Sequence, residues 1–502
     1  MSDPSGNSAP LAGTQRGFLK SMLSATGVSI AAQLLAFLRQ IMTAAYFGVA
    51  RELDIYFMTY AIATIMVLSF GAILDSVGIP HLVRTREEQG EATFRELAGS
   101  LVAFSVVLAL VLSALFIAAT PLVARFMAAG FPEADRQEIR SMAVSFLPWT
   151  CIALPYYALC SVFKSVHRFS LVFTGEVVIA LGSVLFLALH HSSVTALPLS
   201  YFAGYVFASV LLLAYAAGRF RLWGSLRTDA MKGVTRNFFE LFGANQLASL
   251  ATVIERFFQS FLPAGGISAL NYSSQMTVAA TSVLTFREIF IVPLSSADRR
   301  AEKLERLVIA ITVVVVPVMI FIAAYAGDIV AVLFERGRFD QSAKAVTAAT
   351  LSVYALVLLP STAGLPVFRM FQVIDRIRMT AVVYLLGALN FAVFGSIFLF
   401  GARMGTPGMA LTVVVNSYLS VLVSLVLLRK CGVMTNWVRM SAYGVYTAFI
   451  SLAALGLIRV LPLAAPHNPF VALLVSGCLF SMLVLLGYLP LWRRLKQVIY
   501  NV

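Results

Sequence analysis

Charge is scarce in this chain. Only 12% of its 502 residues are Asp, Glu, Lys or Arg, against roughly 25% in a soluble domain. A water-soluble fold of that length must cover its exterior with polar groups, so this scarcity excludes one. Cysteine is equally sparse: Cys151, Cys160, Cys431 and Cys478 stand singly in apolar runs without CxxC spacing, which argues against a disulfide framework or a thiolate metal site. The histidines form no HExxH pattern, and no GxxxxGK[ST] loop is present to hold a nucleoside triphosphate. A polymerase or glycosyltransferase joining lipid-linked sugars would need a sizeable extramembrane domain, and the longest outside segment, near Met127 to Arg140, is too short for one. The sequence therefore points to no enzyme: no catalytic residue, no metal and no bound cofactor is expected. Met1 to Gln15 is rich in Ser, Gly and Pro and lacks the short apolar core and cleavage pattern of a signal peptide. Period-2 alternation, the mark of an outer-membrane barrel, is missing too.

What the chain has in abundance is apolar length. Sixty per cent (60%) of the residues are hydrophobic. Spans of roughly 20 to 25 residues with short connections divide the chain into about 14 units, from 19–47 and 53–83 at the start to 469–491 at the end. The expected fold class is an all-α polytopic membrane protein in which each helix satisfies its own backbone groups. The net charge of +14 has no contiguous basic arm with interleaved aromatics, so nucleic acid is not an expected partner. Lys and Arg concentrate instead in alternate loops, around Arg84, Arg86 and Arg95, around Arg219, Arg221 and Arg227, and around Arg299, Arg300 and Lys303, which puts both termini on the cytoplasmic side. Gly27 through Phe47 leading to Asp54 and Tyr56 is echoed by Gly243 through Leu262 leading to Asn271 and Tyr272. This internal echo predicts two like-oriented six-helix lobes around a central cavity, plus two C-terminal helices. The expected division is a disordered cytoplasmic tail 1–18, an N-lobe 19–218, a cytoplasmic linker 219–234, a C-lobe 235–428, and a final pair of spans with the cytoplasmic C-terminus over 429–502.

Three cations fall inside spans rather than in loops: Arg39, Arg256 and Arg287. An ionisable group in hydrocarbon costs roughly 2.5–3.5 kcal/mol on the lenient insertion scale, so each needs a partner or water. Arg39 either clamps helices together, with Asp54 across the hairpin as one partner, or turns to a wet cavity and binds phosphate oxygens through its planar fork. Asp75 lies farther along the second span. The adjacent pairs Glu255–Arg256 and Arg287–Glu288 sit on antiparallel neighbours, either stitching them together or presenting Arg256 and Arg287 to an anion, with Glu255 and Glu288 compensating once it has left. Glu176, Glu240 and Asp328 rank lower. Pro148, Pro155, Pro293, Pro317, Pro360 and Pro366 interrupt backbone hydrogen bonding and mark bends or hinges.

The stretch Phe37-Leu-Arg-Gln through Ala44-Ala-Tyr-Phe-Gly48, then Leu53-Asp-Ile-Tyr-Phe57, together with Ser268-Ala-Leu-Asn-Tyr272 and the octet Leu333-Phe-Glu-Arg-Gly-Arg-Phe-Asp340, resembles the MurJ/MviN branch of the multidrug, oligosaccharidyl-lipid and polysaccharide exporter superfamily. The resemblance implies a flippase of the bacterial inner membrane that carries an undecaprenyl-pyrophosphate-linked saccharide from inner to outer leaflet by alternating access. Arg39 and Asp54 match family positions tied to function. Three other positions depart from the pattern, with Gln33 and Gln275 where the family has arginines and Ala63-Thr-Ile-Met-Val67 in place of a Pro-Asn motif followed by arginines. Gln33 and Gln275 are thus expected to line the substrate site with Arg39, Arg256 and Arg287, while Asp54, Asp75, Glu255 and Glu288 compensate charge or couple transport. These departures favour an exopolysaccharide-type repeat unit as cargo over lipid II, with a cation-coupled multidrug exporter as a further alternative. The expected partners are the lipid bilayer, the lipid-linked saccharide, and a polysaccharide polymerase or glycosyltransferases. The expected driving force is the proton gradient or the membrane potential.

Overall fold

In a medium that offers no hydrogen-bonding partners, an apolar chain must pair its backbone groups within each segment, and this one does so as helices. The computed structural model describes residues 11–221, 223–284, 299–376, 378–460 and 468–492, among which there is no strand. The helices run α1 (Leu11–Phe47), α2 (Arg51–Gln89), α3 (Glu91–Met127), α4 (Glu133–Ser165), α5 (Phe169–Leu189), α6 (Ala196–Ala216), α7 (Asp229–Gln259) and α8 (Gly266–Leu284), then α9 (Arg300–Ala324), α10 (Ala326–Phe334), α11 (Gln341–Tyr354), α12 (Leu358–Val373), α13 (Arg378–Gly395), α14 (Gly405–Lys430), α15 (Trp437–Val460) and α16 (Pro469–Tyr488). Among the described residues, 12 helices are long and apolar enough to cross a membrane. α7 falls on the expected span 235–262 and α8 on the first part of 267–296, the rest of which lies outside the described residues.

Three expected spans, the ninth (305–334), tenth (343–368) and eleventh (379–401), are interrupted. The ninth breaks at Tyr325, whose φ of −106° and ψ of 21° separate α9 from α10. The tenth tightens into a 3₁₀ turn over Ala355–Val357 between α11 and α12; Pro360 follows immediately and supplies no N–H to the helical ladder. The eleventh ends in a π-helical turn, Ser396–Gly401, in which the Ala402 N–H donates to Ile397 O at 2.8 Å. Pro148 and Pro155 lie inside α4, Pro317 inside α9 and Pro366 inside α12. Pro293 lies outside the described residues.

The chain forms two compact units, each assembled from three separated stretches: Met1–Arg39, Met66–Phe116 and Ser145–Phe242 make the first, and Gln40–Ile65, Ile117–Val144 and Gly243–Val502 the second. Within the first unit, α5 and α6 form a close hairpin. A Cβ on Gly204 would sit 2.3 Å from Ile179 O, and one on Gly182 would sit 3.0 Å from Gly204 Cα. Small residues let two backbones approach where no hydrophobic force drives helices together in lipid. In the second unit, α9 is the central post. Leu304, Leu307, Ile311 and Val315 pack with Leu358, Val367, Met370 and Phe371, while Ile309 and Val313 pack with Phe480, Val484 and Tyr488 of α16. The last two helices are also fastened by polar bonds: Arg439 Nη1 donates to Glu305 Oε1 at 3.1 Å and the Tyr488 hydroxyl to Val313 O at 2.8 Å. Leu474, Leu485 and Leu486 of α16 remain more than half exposed, as expected of a face solvated by lipid.

Candidate functional site

α1 and α2 meet at a tight turn, and Asp54 sits in the first turn of α2 with its side chain fully buried. Its carboxylate Oδ2 accepts the Gly265 N–H at 2.7 Å, and Oδ1 accepts the Ser268 N–H at 2.8 Å and the Ser268 hydroxyl at 2.7 Å. Asp54 therefore caps the N-terminus of α8 from a distant part of the chain, satisfying donors that the helix cannot satisfy itself and placing negative charge at the positive end of its dipole. Arg51 adds a longer contact at 3.8 Å, reaches Asp135 at 3.3 Å, and lies over the Phe131 ring.

The octet 333–340 closes against the same turn. The Arg338 N–H donates to Ala45 O at 2.8 Å, and the Tyr272 hydroxyl donates to Gly48 O at 3.0 Å. The fit depends on two glycines with left-handed backbones: a Cβ on Gly48 (φ 65°) would lie 2.5 Å from Arg338 O, and one on Gly337 (φ 62°) would lie 2.2 Å from Ala45 O. Residues 44–57, 268–272 and 333–340 thus meet at one knot in the second unit.

Close to this knot, α7 presents Glu255, Arg256 and Gln259. Neighbouring positions on a helix diverge by about 100°, so Glu255 and Arg256 cannot meet face to face, and Gln259 joins them. Arg256 Nη1 donates to Gln259 Oε1 at 2.7 Å, and Gln259 Nε2 donates to Glu255 Oε1 at 2.8 Å. Arg256 Nε is enclosed yet has no hydrogen-bond partner among the described residues, and neither has Asn271 Oδ1 on α8. Tyr60 of α2 and Tyr354 of α11 are within electrostatic reach of Arg256, and the Tyr354 hydroxyl donates to Ser274 Oγ at 3.2 Å. Glu255, Arg256, Ser274, Gln275 and both tyrosines are half-buried, so this polar face keeps accessible surface while Gln259 beneath it is buried.

Arg39 is placed differently. It is 4% exposed; Nε donates to Ser200 Oγ at 3.2 Å, Nη2 donates to Leu197 O at 3.1 Å, and the guanidinium lies 3.9 Å from the Tyr201 ring centroid. This is a clamp between α1 and α6, in which a carbonyl, a hydroxyl and an aromatic face replace hydration. Asp54 takes its partners from Arg51, Gly265 and Ser268. Gln33 is exposed on α1. Asp75 joins Lys164 in the first unit at 2.5 Å. Arg287 and Glu288 lie outside the described residues.

A family model described as lipid II flippase MurJ matches residues 43–474. The chain belongs to the MurJ family. The probable lipid II flippase MurJ of Aquifex aeolicus (strain VF5) is 23% identical over 419 residues, 80% of this chain and 81% of that one. Among solved structures, a lipid II flippase MurJ in an inward closed conformation superposes with a TM-score of 0.79 at 17% identity, covering 93% of this chain and 99% of the other. An inward-facing multidrug resistance transporter of the MOP superfamily reaches 0.58 at 14% identity, covering 84% and 95%. These superpositions establish the fold: an all-α polytopic membrane protein of MurJ type.

Several residues of this candidate site carry little signal of their own in the sequence. Ser268 and Tyr272 were legible only as part of a motif, and Gln259, Tyr60 and Tyr354 carried no signal beyond being polar or aromatic positions in apolar helices. A polar residue one turn from an intramembrane charge is a usable clue, and Gln259, three and four positions from that pair, satisfies it.

Proposed function

We propose that this chain is a flippase for a polyprenyl-pyrophosphate-linked saccharide, working by alternating access in the bacterial cytoplasmic membrane with both termini inside. The observation that carries the reading is Arg256: a guanidinium inside the span, held by Gln259 beside Glu255 on a half-buried polar face. A pyrophosphate head cannot cross hydrocarbon bare, and a preoriented cation that replaces part of its hydration lowers that barrier. Glu255 balances the cation when no anion is present. The side chains of Asn271, Ser274 and Gln275 offer amide and hydroxyl groups suited to sugar hydroxyls. The Asp54 knot serves as the closed end of the pathway, and its release frees the α1–α2 turn from the α7–α8 turn. The proton gradient or the membrane potential drives the cycle, each charge moved through 100 mV being worth about 2.3 kcal/mol.

The family match over residues 43–474 supports lipid II as cargo. A second reading, an exopolysaccharide-type repeat unit delivered to a polymerase, is favoured by Gln33 and Gln275, neutral where the resemblance leads one to expect arginines. Depleting the chain from cells and identifying the lipid-linked saccharide that accumulates on the cytoplasmic face separates the two. Accumulation of neither would overturn the flippase reading.

A further inference from the structure

The first unit contains a polar cluster that the substrate site does not use. On α2, Asp75 is saturated: Lys164 Nζ of α4 donates to Oδ2 at 2.5 Å and the Ser161 hydroxyl donates to Oδ1 at 2.5 Å. Across from Lys164, Glu176 of α5 keeps exposed surface and lies within the ammonium's electrostatic reach. It forms no ion pair of its own among the described residues.

Other titratable groups gather around Lys164 and Glu176. α4 contributes Tyr156, Tyr157, Cys160 and Lys164, α2 contributes Asp75, and α6 contributes Tyr205, whose hydroxyl is 3.0 Å from that of Tyr157. The Tyr156 hydroxyl is buried beside Cys160. It lies directly under α5, since a Cβ on Gly175, the residue before Glu176, would sit 2.6 Å from it.

The cluster has two carboxylates and one ammonium, and that ammonium is held by Asp75, so ionised Glu176 adds an uncompensated negative charge within the span α5, where such a charge is costly. We propose that this cluster is a proton-binding site that couples transport to the proton gradient. Glu176 takes up one proton on a carboxylate oxygen while Lys164 stays with Asp75; on release of that proton, Lys164 becomes shared between Asp75 and Glu176. A metal cation is disfavoured because hard cations gather about six oxygen ligands, and both Asp75 oxygens are already engaged. Sharing of Lys164 links α2, α4 and α5, so protonation changes how strongly these three helices are held together. This inference rests on the transport reading for its role in the cycle, but not for the proton site itself.

The site is tested by infrared difference spectroscopy of the full chain in lipid vesicles, with pH as the probe. The expected result is a protonated-carboxyl band that titrates with pH, is lost in Glu176→Gln, and titrates at lower pH in Asp75→Asn, where Lys164 is freed for Glu176. Sodium at fixed pH should leave the band unchanged. A band that survives Glu176→Gln, the lack of any such band in the wild-type chain, or its displacement by sodium overturns the proposal. In the same vesicles carrying a fluorescent polyprenyl-pyrophosphate saccharide, Glu176→Gln should retain flipping yet lose at least about tenfold of its acceleration by a pH gradient. Lack of flipping by the wild-type chain would count against the flippase reading, and the infrared titration decides the proton site independently of it.

Discussion

Asp54 and Ser268, 214 residues apart, are joined by two hydrogen bonds to one carboxylate oxygen, from the Ser268 N–H at 2.8 Å and from its hydroxyl at 2.7 Å. Because the carboxylate is fully buried, these bonds are charge-assisted in a low dielectric, where leaving donors unpaired costs more than the bonds themselves contribute.

Truncating the two partners should therefore have unequal effects. Ser268→Ala removes one donor and leaves both N–H bonds, so it should lower stability by about 1–2 kcal/mol. Asp54→Ala strands the Gly265 and Ser268 N–H groups, the latter at the start of α8, and should cost about 3–5 kcal/mol. Thermal unfolding in detergent micelles reads both. Equal losses would mean that the carboxylate is not what organises the knot.

The octet's glycine offers a steric test of the same region. Gly337→Ala places a Cβ 2.2 Å from Ala45 O in a left-handed conformation, so the Arg338–Ala45 hydrogen bond must lengthen or break. A loss of roughly 1–3 kcal/mol is expected, with faster amide exchange at Arg338. Gly327→Ala, which meets nothing within 4 Å, is the control and should be close to neutral.

Arg256 separates charge from shape. Arg256→Ala should slow flipping of a labelled lipid-linked saccharide in vesicles at least about tenfold, the equivalent of about 1.4 kcal/mol, while the unfolding midpoint moves little. Arg256→Lys keeps the charge but loses the planar fork that engages Gln259, and should give an intermediate rate. If lysine performed as well as arginine, the site would need only a point charge.

How far the sequence could be read depended on which physical rule was in play. Helix positions followed from the length of apolar runs, because the bilayer imposes one thickness on every span. Asp54 stood out as a charge at the start of a span, yet its partner did not, since nothing local in the chain reveals which helix end it caps. Arg39 was flagged because a guanidinium in an apolar run is costly. That rule holds equally for an arginine that binds a ligand and for one satisfied by Leu197 O, Ser200 and Tyr201. Lys164 lies in the last turn of α4, where its long stem lets the ammonium reach Asp75, a pairing that nothing local in the chain reveals.

For Arg39 the clamp geometry makes its own prediction. Arg39→Met and Ser200→Ala each weaken the contact of α1 with α6, and in a double-mutant cycle they should show a coupling of about 0.5–3 kcal/mol in unfolding stability. Binding of a soluble pyrophosphate analogue should be unaffected. Additive losses, or a selective drop in analogue affinity, would return Arg39 to the substrate site.

Asp340 provides a pH test outside the membrane. It caps α11, accepting the Ala343 N–H and the Ser342 hydroxyl, each at 2.8 Å. The Ala343 N–H, followed by the Ser342 hydroxyl, holds its carboxyl below the usual carboxylate value. A group depressed in the folded state contributes stability that is fully present above its unfolded value and is lost as the pH falls through the folded one. Fraying of the first turn of α11 should accordingly increase below about pH 4, read as faster amide exchange at Ala343 and Lys344 after correction for intrinsic rates. Asp340→Asn keeps an acceptor and should abolish the pH dependence while retaining most of the protection; Asp340→Ala should lose the protection at every pH. If the asparagine variant frayed with the same acid profile as the wild type, the titrating group would have to be another residue than Asp340.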